Sequence, residues 1–340
     1  MSTLYGRIRV MKNSSKNFAA ESVGKRMIKQ VPVCHQNDRV LDVKKMLFDT
    51  MDGLETINYI YVIDNKNKLI GVFSIKEIFR KPEKTLIREI MENELVKIRP
   101  HTDQEKVVIL ALRNNLKAIP VVGKGDEFLG IVPSDVILDI LHLENVEDFL
   151  KMAGINSPLQ KVLKGSAWYL FKVRIPWLVL GLLGGIVGAT VITYFEGPLR
   201  ENFILASFIP LILYMSGAVG NQTEILLIRN MAVDSQISAW KYLFRELRSS
   251  FLIALILSFL LFLISMVFFG APYYISIILS SSLFIGVFIS VLIGVFMPCV
   301  LKKMGKDPAI GSGPFSTILR DVLSLVIYFS ITILLLNLFQ

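Results

Sequence analysis

The chain has 340 residues, a formal net charge of +9 at pH 7 and a hydrophobic fraction of 53%. Its length allows two domains of ordinary size, and its mean hydropathy of +0.56 is high for a soluble protein. The charges are unevenly distributed, because residues 1–175 hold 28 of the 37 Lys and Arg and 21 of the 28 Asp and Glu. This pattern excludes a uniformly soluble protein and indicates a charged first half followed by a second half suited to lipid.

The residues that usually carry catalysis are placed unfavourably for an enzyme. All three histidines lie in the first half, so a hydrolase or a histidine-metal site within the membrane would lack its imidazole. Cys34 and Cys299 lie in different halves and indicate neither a disulfide framework nor a zinc site. No Gly-x-x-x-x-Gly-Lys-Ser/Thr run is present, which argues against an ATPase. No cleavable signal peptide is visible, so we expect the first half to stay in the cytosol, without a nucleic acid partner.

A short basic lead, residues 1–20, precedes two similar segments, residues 21–82 and 83–142. Each segment contains an amphipathic helix with apolar residues three and four apart, predicted over Val40–Asp49 and Glu105–Asn114. Two short β-branched runs, separated by a polar turn, and a second helix follow in each segment. These runs and helices are 61–64, 69–74 and 75–80 in the first copy and 119–122, 128–132 and 134–143 in the second. The duplication predicts an α/β module built from two β-α-β-β-α units.

This module resembles a tandem CBS pair, with CBS 1 over residues 21–82 and CBS 2 over residues 83–142. The resemblance implies a cleft between the copies that binds ATP or another adenine nucleotide, with an acidic residue after the Gly-hydrophobic strand holding the ribose. The matching candidates are Glu77 in the first copy and Asp135, with Ser134, in the second. Asp135 lies five residues after its glycine and Glu77 lies six after its own. The alternative is that Asp135 only caps the helix that follows.

A linker helix is predicted over residues 143–174, and the remainder of the chain, residues 175–340, is predicted to be an all-α membrane domain of five helices. About 20 apolar residues are needed to cross a bilayer as a helix. Uncharged stretches of that length occur repeatedly, and the longest of them is divided by a Gly-Ala-Pro turn at residues 270–272. The predicted spans are 175–195, 202–223, two within 249–301, and 322–340.

The short loops predict the orientation of these spans. The loops after the second and fourth spans are rich in Lys and Arg, whereas those after the first and third hold only one such residue. The basic residues are Arg229, Lys241, Arg245, Arg248, Lys302, Lys303 and Lys306, against Arg200 alone on the other side. Because positive residues favour the cytoplasmic side, we expect a multi-pass inner-membrane protein with its N-terminal module inside and its C-terminus outside.

Polar residues within the lipid-suited half mark the candidate chemistry, because they are expensive there. The second span ends in the run 216–222, where Asn221 and Gln222 offer carbonyl oxygens, and Glu224 follows. Before the fifth span lie Asp-Pro-Ala at 307–309 and Ser-Gly-Pro at 312–314. Thr317 and Asp321 then lie four residues apart, a spacing that places them on one helix face.

These two stretches resemble the MgtE family of magnesium transporters, over about residues 21–340. The resemblance implies a homodimer in the lipid bilayer, whose pore is lined by the second and fifth spans of both subunits. It implies a hydrated Mg²⁺ held by Asp321, with Asn221, Thr317, Gln222 and Glu224 as further candidates. Mg²⁺ releases its waters reluctantly, so a few carboxylates acting through water suit a conducting site. Ala218 and Glu224 depart from the family pattern, which commonly has an Asn and a small residue there.

The resemblance also implies gating by cytosolic magnesium. The acidic N-terminal domain that helps sense magnesium in many members is absent from this sequence, so sensing is expected at acidic residues elsewhere. The candidates for a gating or sensing metal site are Glu144, Glu147, Asp148 and Asp307. The alternative readings are that the first three form an ordinary solvated helix face and that Asp307 only caps a turn before Pro308.

Several interpretations remain open at this point. Asp321 is expected to be functional, but it could instead be an ion-pair partner of Arg320 or Arg229. For Glu224, pairing with Arg229 is favoured over a conducting role. The transported ion could be Mn²⁺, Co²⁺ or Ca²⁺ rather than Mg²⁺, or the transport could be efflux. A third alternative is a non-conducting membrane sensor that reads a nucleotide through its CBS pair.

Overall fold

The computed structural model describes residues 18–19, 21–197, 202–233, 238–311 and 313–339. Of the basic lead predicted over residues 1–20, only Phe18 and Ala19 are among the described residues. Ser312 of the Ser-Gly-Pro motif also lies outside them. The chain divides into two compact units, Met1–Glu144 and Asn145–Gln340.

The first unit is an α/β structure. Its strands are β1 (Val33–His35), β2 (Tyr59–Ile63), β3 (Leu69–Ser74), β4 (Ala118–Val122) and β5 (Phe128–Pro133). Its helices are α1 (Val23–Arg26), α2 (Val40–Thr50), α3 (Lys76–Arg80) and α4 (Gln104–Asn114), with short 3-10 turns at Met51–Gly53 and Ile87–Glu89. The helix α5 (Ser134–Met152) follows β5 and extends past residue 144.

The two copies predicted from the sequence share one strand arrangement. In the first copy β1 pairs parallel with β2, and β2 pairs antiparallel with β3. In the second copy Ile98 pairs parallel with Val121 of β4, and β4 pairs antiparallel with β5. Ile98 thus occupies the position that β1 holds in the first copy. The predicted α/β fold class is confirmed.

A shared apolar cluster joins the two copies. The Tyr61 and Phe128 rings stack with their centroids 5.1 Å apart, and both side chains are buried. Around them lie Val31, Leu69, Val122 and Ile131. Gly130 on β5 has φ +153°, and a Cβ there would lie 2.3 Å from the Ile28 carbonyl oxygen. Only glycine therefore lets the chain before β1 lie against β5.

The second unit is all-helical in its described residues. Its helices are α6 (Leu159–Lys164), α7 (Ala167–Tyr194), α8 (Phe203–Val233), α9 (Ala239–Phe268), α10 (Tyr273–Lys303), α11 (Pro308–Gly311) and α12 (Pro314–Phe339). Five of them, namely α7, α8, α9, α10 and α12, are long and apolar enough to cross a membrane. This confirms the predicted class of the second half.

The helix α10 lies at the centre of this unit and packs against α8, α9 and α12, while α7 packs against α12. Its buried face carries residues such as Ile278, Val287 and Val291, all at or below 1% exposure. Because lipid is as apolar as these side chains, packing rather than water exclusion holds the helices together. The helix backbones must therefore approach closely. Gly220 of α8 and Gly294 of α10 allow this, because a Cβ on either would collide with the backbone of the other helix.

The linker differs from the sequence prediction. Residues 143–174 are not one helix but are divided among α5, α6 and the start of α7. Gly154, with φ +73°, ends α5, because the Ile155 N–H donates to the Leu150 carbonyl in a Schellman-type C-cap. Pro158 is the residue immediately before α6, so several residues separate the two helices.

Candidate ion pathway and regulatory cluster

Asp321 lies on α12, about two turns from the helix start at Pro314, as predicted. Its side chain is half-buried and approaches α8. A Cβ atom added to Gly217 of α8 would lie 4.0 Å from Asp321 Oδ1. No ion pair within 4.0 Å and no hydrogen bond is found for this carboxylate among the residues that the structure describes. Arg320 acts on this carboxylate only at longer range, because its guanidinium forms its short ion pair with Glu224.

The other pathway candidates lie on accessible faces of the same two helices. Thr317, one turn before Asp321, is exposed, and its hydroxyl donates to the Gly313 carbonyl at 3.1 Å. Asn221 and Gln222 are exposed on α8, and Asn221 lies one turn beyond Gly217. Exposed polar groups on a membrane-spanning helix are costly unless they face other protein or water. This face of the single chain is therefore poorly suited to lipid contact.

Glu224 is turned the other way, into the helix bundle, where it is 0% exposed. The Ser316 hydroxyl donates to its Oε1 at 2.7 Å, and Arg320 Nη2 lies 3.1 Å from its Oε2. The expected partner Arg229 instead donates to the Asn145 side chain at 2.6 Å. The reason is the helix register: Ser316 and Arg320, four residues apart, share the face of α12 that α8 covers.

Arg320 was predicted from the sequence only as a possible partner of Asp321, but its ion-pair partner is Glu224. Arg320 is 2% exposed and donates from Nε to the Ser316 carbonyl at 3.3 Å and from Nη1 to the Gly217 carbonyl at 3.5 Å. All of its described contacts are therefore inside the bundle. The sequence does contain a signal for this buried pair. Arg320 is a single arginine directly before Asp321 and the predicted fifth span, and a cation in that place needs a partner inside the protein.

Of the candidates for metal sensing, Glu147 and Asp307 share one cationic partner, whereas Glu144 has a different partner. Lys151 on α5 lies 2.6 Å from Glu147 and 2.6 Å from Asp307, so one ammonium bridges two carboxylates. Asp307 also accepts from the Ala309 N–H at 2.8 Å, as the turn-capping alternative expected. Glu144 is engaged elsewhere, because the Gln104 side chain donates to it at 2.7 Å. In the described ranges no group of three His, Cys, Asp or Glu is placed to hold a metal by itself.

Asp148 belongs to the same region, and burial together with the Asp307 carboxylate raises its pKa to about 6. We expect Asp148→Asn to raise the apparent melting temperature strongly at pH 8 and much less at pH 4.5. The folded-state pKa lies above the ordinary value of 3.8, so the folded protein loses stability as the pH rises from about 4 through 6. The neutral amide removes that loss.

Thermal unfolding of purified protein in detergent and EDTA measures this difference. Asp139→Asn is the matched control, because Asp139 is exposed on the same helix. A stabilisation by Asp148→Asn that is equal at both pH values would mean that charge burial is not its cause.

The nucleotide candidates follow corresponding strands of the two copies. Ser134 and Asp135 are exposed in the first turn of α5, directly after β5. Glu77 lies in α3, after β3, and its carboxylate pairs with Arg80 at 2.9 Å. The second-copy pair is thus accessible to a ligand, while Glu77 already has a cationic partner.

Comparison with known proteins gives consistent matches over both halves. The profile of the MgtE family, described as a divalent cation transporter, matches residues 209–331, and the CBS domain profile matches residues 20–84 and 87–143. The chain is 32% identical over 317 residues to the magnesium transporter MgtE of Bacillus subtilis (93% of this chain, 70% of the relative). It is 32% identical over 322 residues to that of Thermus thermophilus (94% and 71%).

Two solved structures also align with the chain. One is the soluble part of a magnesium transporter, 30% identical with a TM-score of 0.38, and it covers 38% of this chain and 51% of its own. The other is the cytosolic domain of the Mg²⁺ channel MgtE in complex with ATP, 31% identical with a TM-score of 0.36, which covers 37% and 51%. The chain thus spans about half the length of each of these structures.

Proposed function

Because the chain belongs to the MgtE family of divalent cation transporters, we propose that it carries Mg²⁺ across the membrane through a pore formed by two copies of the chain. The observation that carries this proposal is the Asp321 carboxylate, which lies in a membrane-spanning helix and forms no salt bridge within 4.0 Å with any residue that the structure describes. An ionised carboxylate without a salt bridge is costly within the membrane, and a passing cation would supply the missing positive charge.

The faces of α8 and α12 that the single chain leaves accessible would line this pore. A second copy would place another Asp321 opposite the first, so that two carboxylates face one hydrated ion. The Thr317 hydroxyl hydrogen is used by the Gly313 carbonyl, so its oxygen can only accept hydrogen bonds from outside. The Asn221 amide oxygen is likewise an acceptor. Acceptors suit the waters around Mg²⁺, because those waters present their hydrogens outward.

The direction of transport follows from charge. With the N-terminal unit in the cytosol and the C-terminus outside, a divalent cation that enters gains about twice 2.3 kcal/mol per 100 mV of membrane potential. Uptake then needs no hydrolysis of ATP. The N-terminal unit would act as a regulator of the pore rather than as its energy source.

For regulation, the region of Glu147, Asp148 and Asp307 is the proposed place where cytosolic Mg²⁺ acts. In the structure the Lys151 ammonium supplies the positive charge between two of these carboxylates. A divalent ion that binds there would also relieve the repulsion between Asp148 and Asp307. Added Mg²⁺ should therefore raise the melting temperature of the wild type more than that of Asp148→Asn.

ATP is the second proposed regulator, bound at the CBS unit through Ser134 and Asp135. We expect Asp135→Ala to weaken ATP binding about tenfold, the loss of one charge-assisted hydrogen bond to a ribose hydroxyl. Isothermal titration of ATP into the purified full chain measures the affinity. Asp139→Ala, one turn further along the same exposed helix face, should bind as the wild type does. Equal affinities for all three proteins would remove Asp135 from the site.

The transported ion is tested by flux into proteoliposomes that hold purified protein and a magnesium-sensitive dye. We expect Mg²⁺ entry, and competing Mn²⁺, Co²⁺ or Ca²⁺ should reduce it only at concentrations above that of Mg²⁺. Faster entry of one of those ions would assign the transporter to that cation. The absence of any flux would favour the non-conducting sensor.

A further inference from the structure

A buried ion pair ties α8 to α12 beside the proposed pathway, and the proposed function does not use it. Glu224 and Arg320 are 0% and 2% exposed, and their charged groups lie 3.1 Å apart. Removing two charges from water costs several kcal/mol per ion, so a buried pair is weak evidence for stability. Within a membrane the cost is as high or higher. A pair in this place therefore calls for a role other than holding the helices together.

The position of Arg320 in the chain suggests that role. Arg320 and Asp321 are consecutive, so α12 turns them about 100° apart. Both approach Gly217 of α8. The guanidinium donates to the Gly217 carbonyl, and a Cβ atom added to Gly217 would lie 4.0 Å from Asp321 Oδ1. One glycine of α8 thus separates a buried cation from the carboxylate proposed to hold the ion.

Two carboxylates act electrostatically on the Arg320 guanidinium, Glu224 and Asp321. Glu224 contacts it directly, and Ser316 holds the other oxygen of Glu224 in place. If Glu224 lost its charge, Asp321 would be the remaining anion near the guanidinium. Attraction to Asp321 would then compete with Mg²⁺ for that carboxylate, and the uncompensated charge would repel cations.

We propose that Glu224 is a positioning residue, which binds and neutralises Arg320 so that the Asp321 carboxylate stays free for the transported ion. This inference rests on the proposed function of Asp321. It differs from a purely structural role in one respect: removal of the two charges should affect ion affinity unequally. Loss of the Glu224 charge weakens the site, whereas loss of the Arg320 charge does not.

The test uses Mg²⁺ flux in proteoliposomes with full-length wild type, Glu224→Gln, Arg320→Gln and the double variant. For Glu224→Gln the half-saturating Mg²⁺ concentration should rise about tenfold or more, from an unbalanced charge at close range. For Arg320→Gln it should be unchanged or lower. For the double variant, which buries no uncompensated charge, it should return to within about threefold of the wild type.

Several results would overturn the inference. These are an unchanged half-saturation in Glu224→Gln, a rise in both single variants, or a rise of tenfold in the double variant. If Glu224→Gln does not fold, which size-exclusion chromatography shows, Glu224→Asp replaces it, because the shorter side chain keeps the charge but withdraws from the guanidinium and from Ser316. An unchanged half-saturation in Glu224→Asp would then overturn the inference. Failure of the proposed function is distinguishable, because the wild type would then carry no Mg²⁺, or Asp321→Ala would carry it normally.

Discussion

Replacing Asp321 with Ala is expected to abolish growth rescue of a magnesium-auxotrophic strain and to reduce Mg²⁺ uptake at least about a hundredfold. The Asp321 carboxylate is the charged group on the accessible faces of α8 and α12, and it forms no ion pair within 4.0 Å among the described residues. In the proposed dimer, one substitution would remove both charges that face the ion. The loss of two unit charges within a few ångströms of a dication in a medium of low dielectric exceeds about 3 kcal/mol, which corresponds to this factor.

The matched control is Ser330→Ala on the same helix. Ser330 is exposed, and its hydroxyl donates to the Val326 carbonyl one turn back. This variant should rescue growth fully at the same expression level. Normal rescue by Asp321→Ala would show that ion passage does not depend on this carboxylate.

Replacing Gly294 with Val is expected to prevent the membrane unit from folding into a stable, monodisperse protein. A Cβ on Gly294 of α10 would lie 2.6 Å from the Gly220 carbonyl oxygen of α8. A Cβ on Gly220 would in turn lie 2.8 Å from the Ser290 carbonyl oxygen. Both obstacles are backbone, so α8 and α10 would have to move apart. Overpacking of this kind costs about 1–3 kcal/mol, and more where the obstacle cannot move.

Gly185→Val provides the control for this substitution. Gly185 lies in α7, and a Cβ there would meet nothing within 4 Å. Its size-exclusion profile and melting temperature in detergent should match those of the wild type. A Gly294→Val protein with an unchanged melting temperature would mean that α8 and α10 do not approach as closely as the structure has them.

Much of the fold could be predicted from local patterns. The uncharged runs indicated five spans, but the helices that contain the first, third and fifth runs begin earlier, in charged sequence. The helix α7 starts at Ala167 and includes Lys172 and Arg174 in its first turns. Such side chains can extend along their aliphatic stems to the membrane surface. A charged residue therefore marks the edge of the hydrocarbon layer without marking the end of the helix. The resemblance to the MgtE family and to tandem CBS domains is confirmed by the family comparisons.

The partners of the buried charges could not be predicted. Sequence proximity favoured Arg229 for Glu224, but the partner is Arg320, which lies on another helix. That choice depends on which faces of α8 and α12 meet, a property of the packed bundle rather than of either helix. The same holds for Lys151: its pairing with Glu147 follows from the i, i+4 spacing, whereas its pairing with Asp307 comes from the tertiary structure.

The predicted site residues differ for a similar reason. Thr317 and Asp321 were expected on one helix face from their spacing, and both lie on the partly accessible side of α12. Asn221 and Glu224 are three residues apart on α8, yet one is exposed and the other fully buried. The family resemblance made both of them candidates for the ion, and the sequence does not show which side of α8 faces the neighbouring α10 and α12.

The central claim, passage of Mg²⁺ past Asp321, is tested most directly by flux under a controlled potential. Wild type and Asp321→Asn are reconstituted side by side, and a potassium gradient with valinomycin sets an inside-negative potential. The wild type should admit Mg²⁺ faster as the potential becomes more negative, whereas Asp321→Asn should show no flux above empty vesicles. Equal, potential-driven Mg²⁺ entry through both proteins would contradict the account.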